Sequence, residues 1–180
     1  MLNVKSWSTQ WGGRELTIEV GKLALQAGAS CTVRYGDTMM LATAVMSKRQ
    51  TDRDYFPLSV EFQEKLSAAG KIKGSRFMKR EGRPSDWTVL TGRVIDRSIR
   101  PLFDDRIRNE IQVIITPLSI DGTAETQATA LVAASAALSM SSIPWAGPIG
   151  GGLVGRVNQS LVLNPTDEEL DESDLELVVA

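Results

Sequence analysis

The sequence predicts an α+β fold, and three observations lead to it. Runs with the two-residue alternation of strands fill the first third of the chain. Two stretches of helical pattern follow, one opening at Ser85 and one rich in alanine around residues 125–140. Strand-like runs then return and continue to the last residue. Strand-rich layers carrying helices define that class. With 180 residues and 42% hydrophobic content, the chain can bury a real core.

Taken in order, "RELTIEVG" alternates through Leu16, Ile18 and Val20 and predicts a strand. "SCTVRYGDTMMLATAVMS" gives two strands around Gly36-Asp37, a hairpin dipeptide, so that the first third reads as a meander. The run Met39 to Met46 is apolar nearly throughout, which predicts a strand covered on both faces. "DYFPLSVEFQEK" adds a strand with Val60 and Phe62 in alternation. "LSAAGKIKGSRFMKREGRPS" is rich in glycine, serine and charge, and reads as a long exposed loop with a short helical turn.

Ser85 is placed to cap a helix that runs to about Arg100, where Pro101 stops it. At about 100° per residue, Trp87, Leu90, Val94, Ile95, Ile99 and Leu102 share one broad face. Arg93, Arg97 and Arg100 form a stripe on its flank, and Asp96 is spaced to pair with Arg100. "IQVIITPLSI" is the next strand. "ETQATALVAASAALSM" is a helix whose small side chains allow close approach to a sheet. "GLVGRVNQSLVLNPT" reads as a hairpin, "TDEELDE" as a short helix with a Thr166–Glu169 capping box, and "LELVVA" as a final strand.

Composition narrows the chemistry. The sequence contains no histidine, which removes imidazole bases, the Ser-His-Asp triad and every zinc site that needs imidazole. The single cysteine, Cys31, forms no internal disulfide and sits in a strand-like run, where it reads as core. The first residues lack the apolar segment of a signal peptide, and no apolar run approaches a membrane span, so the expected location is cytoplasmic.

Three local patterns read better as structure than as sites. "GPIGGGLVGRV" lacks the Lys-Ser/Thr of a phosphate loop and reads as a tight corner leading into a strand. "IDGTAET" carries no cation and reads as the start of a helix. The acids from Asp167 to Glu176 suit the first turn of a helix and its dipole. Asp52, Asp54, Asp104 and Asp105 fall in turns and are assigned no catalysis.

The charge distribution is different. The sequence has a formal charge of −2, yet nine cations against three acids lie between Lys71 and Arg100, a local +6, leaving −8 on the remainder. A basic island on an acidic body suits a polyanion. Within it Phe77 stands beside Lys79, Arg80 and Arg83, which joins a stacking platform to phosphate contacts, as single-stranded nucleic acid requires.

This island, read with its surroundings, resembles the polynucleotide phosphorylase family. The family loop Phe-Phe-Arg-Arg-Glu-Gly-Arg-Pro corresponds here to Phe77 through Pro84, and Ile95 to Phe103 match its Ile-Asp-Arg-x-Ile-Arg-Pro-Leu-Phe. "GDTMMLATAV", "AAGKIKGS", "AASAALSMSSIPWAGPIG" and "LNPTDEELDESDLELVVA" are similar as well, so the likeness runs from about Glu15 to Ala180. Met78 and Lys79 depart from the pattern, with the loss of one stacking partner and one planar guanidinium.

The resemblance implies a ribonuclease PH-like unit, related to ribosomal protein S5 domain 2, over residues 1–150, with the opening of a second lobe over 151–180. It implies the N-terminal part of a phosphate-dependent 3′→5′ exoribonuclease, a nucleotidyltransferase that degrades single-stranded mRNA to nucleoside diphosphates and can run in reverse. It further implies a homotrimeric ring, association with other RNA-decay proteins, and dependence on magnesium and inorganic phosphate. The family's catalytic and metal-binding residues lie in its second half, so none is assigned here and this portion alone is expected to be inactive. The RNA-binding set is Phe77, Lys79, Arg80, Arg83, Arg93, Arg97 and Arg100. The rival reading is a non-catalytic RNA-binding or ring-scaffold protein of the same fold.

Overall fold

The computed structural model describes residues 3–72, 74, 82–122 and 126–180. In chain order the elements are β1 (Lys5–Trp11), β2 (Arg14–Val20), β3 (Ala29–Tyr35), β4 (Thr38–Gln50), β5 (Leu58–Phe62), α1 (Asp86–Ile99), β6 (Asn109–Ser119), α2 (Thr126–Ser139), β7 (Gly152–Val157), β8 (Ser160–Leu163), α3 (Asp167–Asp171) and β9 (Glu176–Val179). A short 3-10 turn, Leu66–Ala69, follows β5 where the sequence suggested a helical turn.

Six strands form one mixed sheet in the order β1-β2-β3-β4-β6-β5. β2 to β4 are the expected meander, which β1 extends by one antiparallel strand, with Gly36 left-handed in the two-residue turn between β3 and β4. β1 itself is absent from the sequence expectation. Its residues are almost all exposed, so burial imposes no alternation on "KSWSTQW". β5 leaves the meander: it runs parallel to β6, with Leu58 opposite Ile111 and Phe62 opposite Ile115, and α1 lies in the crossover between them.

The core lies on one face of this sheet. Cys31, Val33 and Tyr35 of β3 share it with Met40, Ala42 and Ala44 of β4 and Ile111, Val113 and Ile115 of β6, all buried. α2 covers that face. Its alanines at 128, 130, 133, 134 and 137 are buried, and they bring the helix so close that the Cys31 thiol donates to the Ala133 carbonyl at 3.6 Å. The expectation of a β4 covered on both faces is corrected. Thr38, Met40, Ala42 and Ala44 are buried, whereas Met39, Leu41 and Thr43 are half-buried and Val45 is exposed, because both long helices pack on the same side.

The face of α1 also differs from its hydrophobic pattern. Thr88, Thr91, Gly92, Ile95 and Ile99 are buried, while Trp87 is 45% and Leu90 59% exposed. Small residues face inward because the helix axis lies close to β5. A Cβ on Gly92 would stand 3.6 Å from the Phe62 nitrogen and 3.7 Å from the Val60 oxygen. A helix this close to a strand has no room for an indole on that side.

The glycine run around residue 150 is the corner that the sequence suggested. A Cβ on Gly151 would lie 2.6 Å from the Val179 carbonyl oxygen. Beyond it β7, β8 and β9 form a second sheet in the order β8-β7-β9, and Asn158 and Gln159 take the left-handed conformation in the hairpin turn. Asn164, buried, joins the two sheets: its side-chain oxygen accepts from Leu153 N–H at 3.0 Å and its amide donates to the Tyr35 hydroxyl at 3.5 Å. α3 carries the expected capping box, with Thr166 N–H donating to Glu169 at 2.8 Å and Glu169 N–H to the Thr166 hydroxyl at 3.2 Å.

Candidate functional site

The basic island, Lys71 to Arg100, follows the 3-10 turn after β5 in the chain and takes in α1. Ser85 caps α1 as expected, its hydroxyl oxygen accepting from Thr88 N–H at 3.3 Å. Glu64, just past β5, accepts from Ser85 N–H at 3.2 Å and from the Thr88 hydroxyl at 3.0 Å through one carboxylate oxygen. The Phe62 ring meets Trp87 edge-on, with centroids 5.6 Å apart. These contacts fix the start of the helix over the end of the strand.

Two adjoining clefts result. One, of about 190 Å³, lies between residues 61–66 and 82–84 and has Arg83 on its wall. The other, of about 360 Å³, runs along β5 and α1 past Gly92, Arg93, Asp96 and Arg100. They share Glu61, Phe62 and Pro84. Both walls mix carboxylates with guanidinium groups, so the surface can take an anion at its cationic points without being uniformly positive.

Of the predicted RNA-binding residues, Phe77, Lys79 and Arg80 lie outside the described residues. Arg83, Arg93 and Arg97 are exposed, with Arg93 and Arg97 one turn apart on α1. Arg100 is turned inward, so the three helix arginines are not one exposed stripe. Its Nε and Nη2 donate to Asp96 at 3.0 and 2.6 Å, Nη2 to the Leu58 carbonyl at 3.1 Å, and Nη1 to the Phe56 carbonyl at 3.5 Å. The Phe56 ring also lies beneath the guanidinium, 5.7 Å from its carbon. The Asp96 partner follows from helix spacing; the two carbonyls are tertiary contacts with no signature in the sequence. Glu64 and Thr88 were missed for the same reason.

Elsewhere several ionisable groups serve structure. Burial pushes the Cys31 thiol up to about 12, far from the range of a working nucleophile. Hydrogen bonds from Arg106 hold the Asp104 carboxyl at about 2. Arg156 lowers the carboxyl of Asp174 through a bidentate pair at 2.6 and 2.7 Å, which ties the end of the acidic segment to β7. Asp121 accepts from Asp37 N–H and from the Thr38 hydroxyl, both at 3.0 Å, which pins the start of the "IDGTAET" segment to the β3–β4 turn; residues 123–125 lie outside the described ones. Among the described residues no three carboxylate or thiol groups converge to hold a metal ion. Among them, too, no helix is long and apolar enough to cross a membrane.

Residues 12–144 match the model of the 3′ exoribonuclease family, domain 1. Polyribonucleotide nucleotidyltransferase of Exiguobacterium sibiricum is 52% identical over 176 residues, which is 98% of this chain and 24% of that protein. The protein of the same name from Bacillus subtilis is 49% identical over 174 residues, 97% of this chain and 24% of its own length. The chain thus spans about a quarter of the relatives that it matches, at their N-terminal end. Among solved structures, rice Rrp46 superposes with a TM-score of 0.68 at 15% identity, covering 99% of this chain and 75% of that one. A chain of the Archaeoglobus fulgidus exosome with RNA bound to the active site gives 0.59 at 18% identity, covering 98% and 71%. At such identities the two structures establish the fold, which is that of ribonuclease PH.

Proposed function

The chain belongs to the 3′ exoribonuclease family, and from that premise we propose that it is the N-terminal part of a phosphate-dependent 3′→5′ exoribonuclease, in which it guides single-stranded RNA. The observation that carries the guiding role is the pair of exposed arginines, Arg93 and Arg97, on the helix that continues the basic island, with Arg83 on the wall of the adjoining cleft. Each guanidinium that neutralises a phosphate releases condensed counterions, which gives affinity without base preference. Phe77 supplies a face for a stacked base, and Lys79 and Arg80 hold the phosphates beside it. Such contacts let a strand slide through in any sequence, as a processive exonuclease requires.

In this reading the chemistry resides in the part of the protein beyond Ala180. Inorganic phosphate attacks the phosphorus of the terminal phosphodiester, whose bond to the 3′ oxygen of the preceding nucleotide breaks and leaves that oxygen on the shortened strand; a magnesium ion, held by residues of that part, would supply charge neutralisation. Nucleoside diphosphates leave. The assembly is a homotrimeric ring in the cytoplasm, with residues 1–150 as the first lobe, residues 151–180 opening the second, and the basic loop at the channel mouth. Association with other RNA-decay proteins belongs to the same reading. Incubating RNA, phosphate and magnesium with the full-length protein tests it. Nucleoside diphosphates are expected. Monophosphates would indicate hydrolysis, and RNA bound but intact would indicate a scaffold. Residues 1–180 alone should release neither.

A further inference from the structure

We infer that Glu64 is a positioning residue for RNA, the acid that completes the cap of α1 from outside the helix and so fixes where Arg83 and Arg93 stand. The inference rests on the RNA-guiding reading above.

In a local capping box, the side chain of the third helical residue accepts the N–H of the cap residue. α3 follows that pattern, with Thr166 and Glu169. At α1 the third helical residue is Thr88, which carries no carboxylate, and its hydroxyl lies 2.9 Å from that of Ser85. Glu64 fills the missing role from the end of β5. One of its oxygens takes both the Ser85 N–H and the Thr88 hydroxyl, at 3.2 and 3.0 Å. A negative group at this end of a helix is further favoured by the helix dipole.

The consequence reaches the RNA surface because of where the two ends lie. Residues 65–84 connect Glu64 to Ser85 and carry seven cations: Lys65, Lys71, Lys73, Arg76, Lys79, Arg80 and Arg83. Glu64 joins the two ends of that basic segment through a single carboxylate. Arg83 stands two residues before the clamped Ser85, and Arg93 two turns beyond it on the same rigid helix. Without the clamp the first turn of α1 loses two charge-assisted hydrogen bonds, and the spacing between those cations and β5 is no longer fixed.

The test uses the full-length protein with Glu64→Ala, Glu64→Gln and Thr88→Val, and reads two quantities. Amide hydrogen exchange over residues 85–89, without RNA, reports the clamp itself. Affinity and KM for single-stranded oligoadenylate report positioning. Glu64→Ala should exchange about tenfold faster in that turn and raise KM for RNA severalfold with kcat retained, as the loss of charge-assisted bonds predicts. Glu64→Gln should restore part of both, since its amide oxygen accepts the same two bonds but without the carboxylate's charge. Thr88→Val, which removes one bond, should fall between, and it carries the test if the alanine variant does not fold. Unchanged exchange in Glu64→Ala would overturn the clamp. Faster exchange with wild-type KM, while Arg93→Ala still weakens RNA binding, would overturn the positioning role. If Arg83→Ala and Arg93→Ala both bind RNA like wild type, the RNA-guiding reading itself falls, and this inference falls with it.

Discussion

Arg100 holds Asp96, one turn back on α1, through two parallel hydrogen bonds of 3.0 and 2.6 Å, and the same guanidinium reaches the carbonyls of Phe56 and Leu58. It therefore straps the end of α1 to the start of β5. We expect Arg100→Ala to destabilise the protein by about 1–2 kcal/mol, a value reduced for the partial exposure of both side chains. Arg100→Lys should recover little, because an ammonium cannot reproduce the planar fork. Thermal melting checks both effects, and RNA titration across salt checks whether Arg100 also meets a phosphate. A flattened salt slope in Arg100→Ala would mean that Arg100 meets RNA phosphate as well as strapping the helix.

Gly92 lies in the middle of α1, where glycine costs helix stability. A Cβ there would meet Phe62 N, Val60 O and Phe62 Cβ at 3.6, 3.7 and 3.9 Å, which is ordinary contact. Gly92→Ala should therefore stabilise the protein by about 0.5–1 kcal/mol. Gly92→Leu should destabilise it by about 1–3 kcal/mol by forcing α1 off β5. Denaturant unfolding of the pair decides this; a destabilising alanine would mean that the helix already lies at closest approach.

What the sequence revealed and what it hid divide along a physical line. The Gly36-Asp37 turn, the Ser85 cap and the Thr166–Glu169 box are set by neighbours in the chain, and all are present. β1 was hidden because its exposed residues carry no burial pattern, and the parallel pairing of β5 with β6 because register is a tertiary property. The face of α1 was misread for a sharper reason. Its hydrophobic residues include Trp87 and Leu90, but contact with β5 selects for smallness at Thr88, Thr91 and Gly92. At the candidate site, the charge island was legible as a count of cations. The inward turn of Arg100 and the clamp at Glu64 depend on partners distant in sequence.

Asp104 offers a pH test away from the site. Hydrogen bonds from the Arg106 side chain and backbone hold its carboxyl at about 2, below an ordinary value of 3.8. A carboxyl lowered by folding stabilises the protein above its unfolded value and ceases to do so as pH falls through its folded one. Any contribution from this group is therefore full above about pH 4 and lost toward pH 2. Carboxyl NMR should find a midpoint near 2 in the wild type, moving toward 3.8 in Arg106→Ala. An unmoved midpoint would mean that the Arg106 side chain is not the cause and that its backbone N–H alone holds the carboxyl down.

The basic segment itself makes the most discriminating prediction, because its residues should fail in different ways. If Phe77 stacks on a base, Phe77→Ala should cost about 1–3 kcal/mol of single-strand affinity with little change in salt dependence. If Arg80 meets a phosphate, Arg80→Ala should flatten the slope of log K against log salt by about 0.7. Arg93→Ala and Arg97→Ala should each do the same without lowering the melting temperature, since both side chains project into solvent. The measurement is a titration of full-length protein with single-stranded RNA over a salt series, one variant at a time. Three subunits in a ring would repeat each substitution three times, so the slope per subunit is the quantity to compare. Identical slopes for Phe77→Ala and Arg80→Ala would leave RNA binding in place but refute the division between stacking and charge. Wild-type binding in all four would reduce the cationic island to a charged surface.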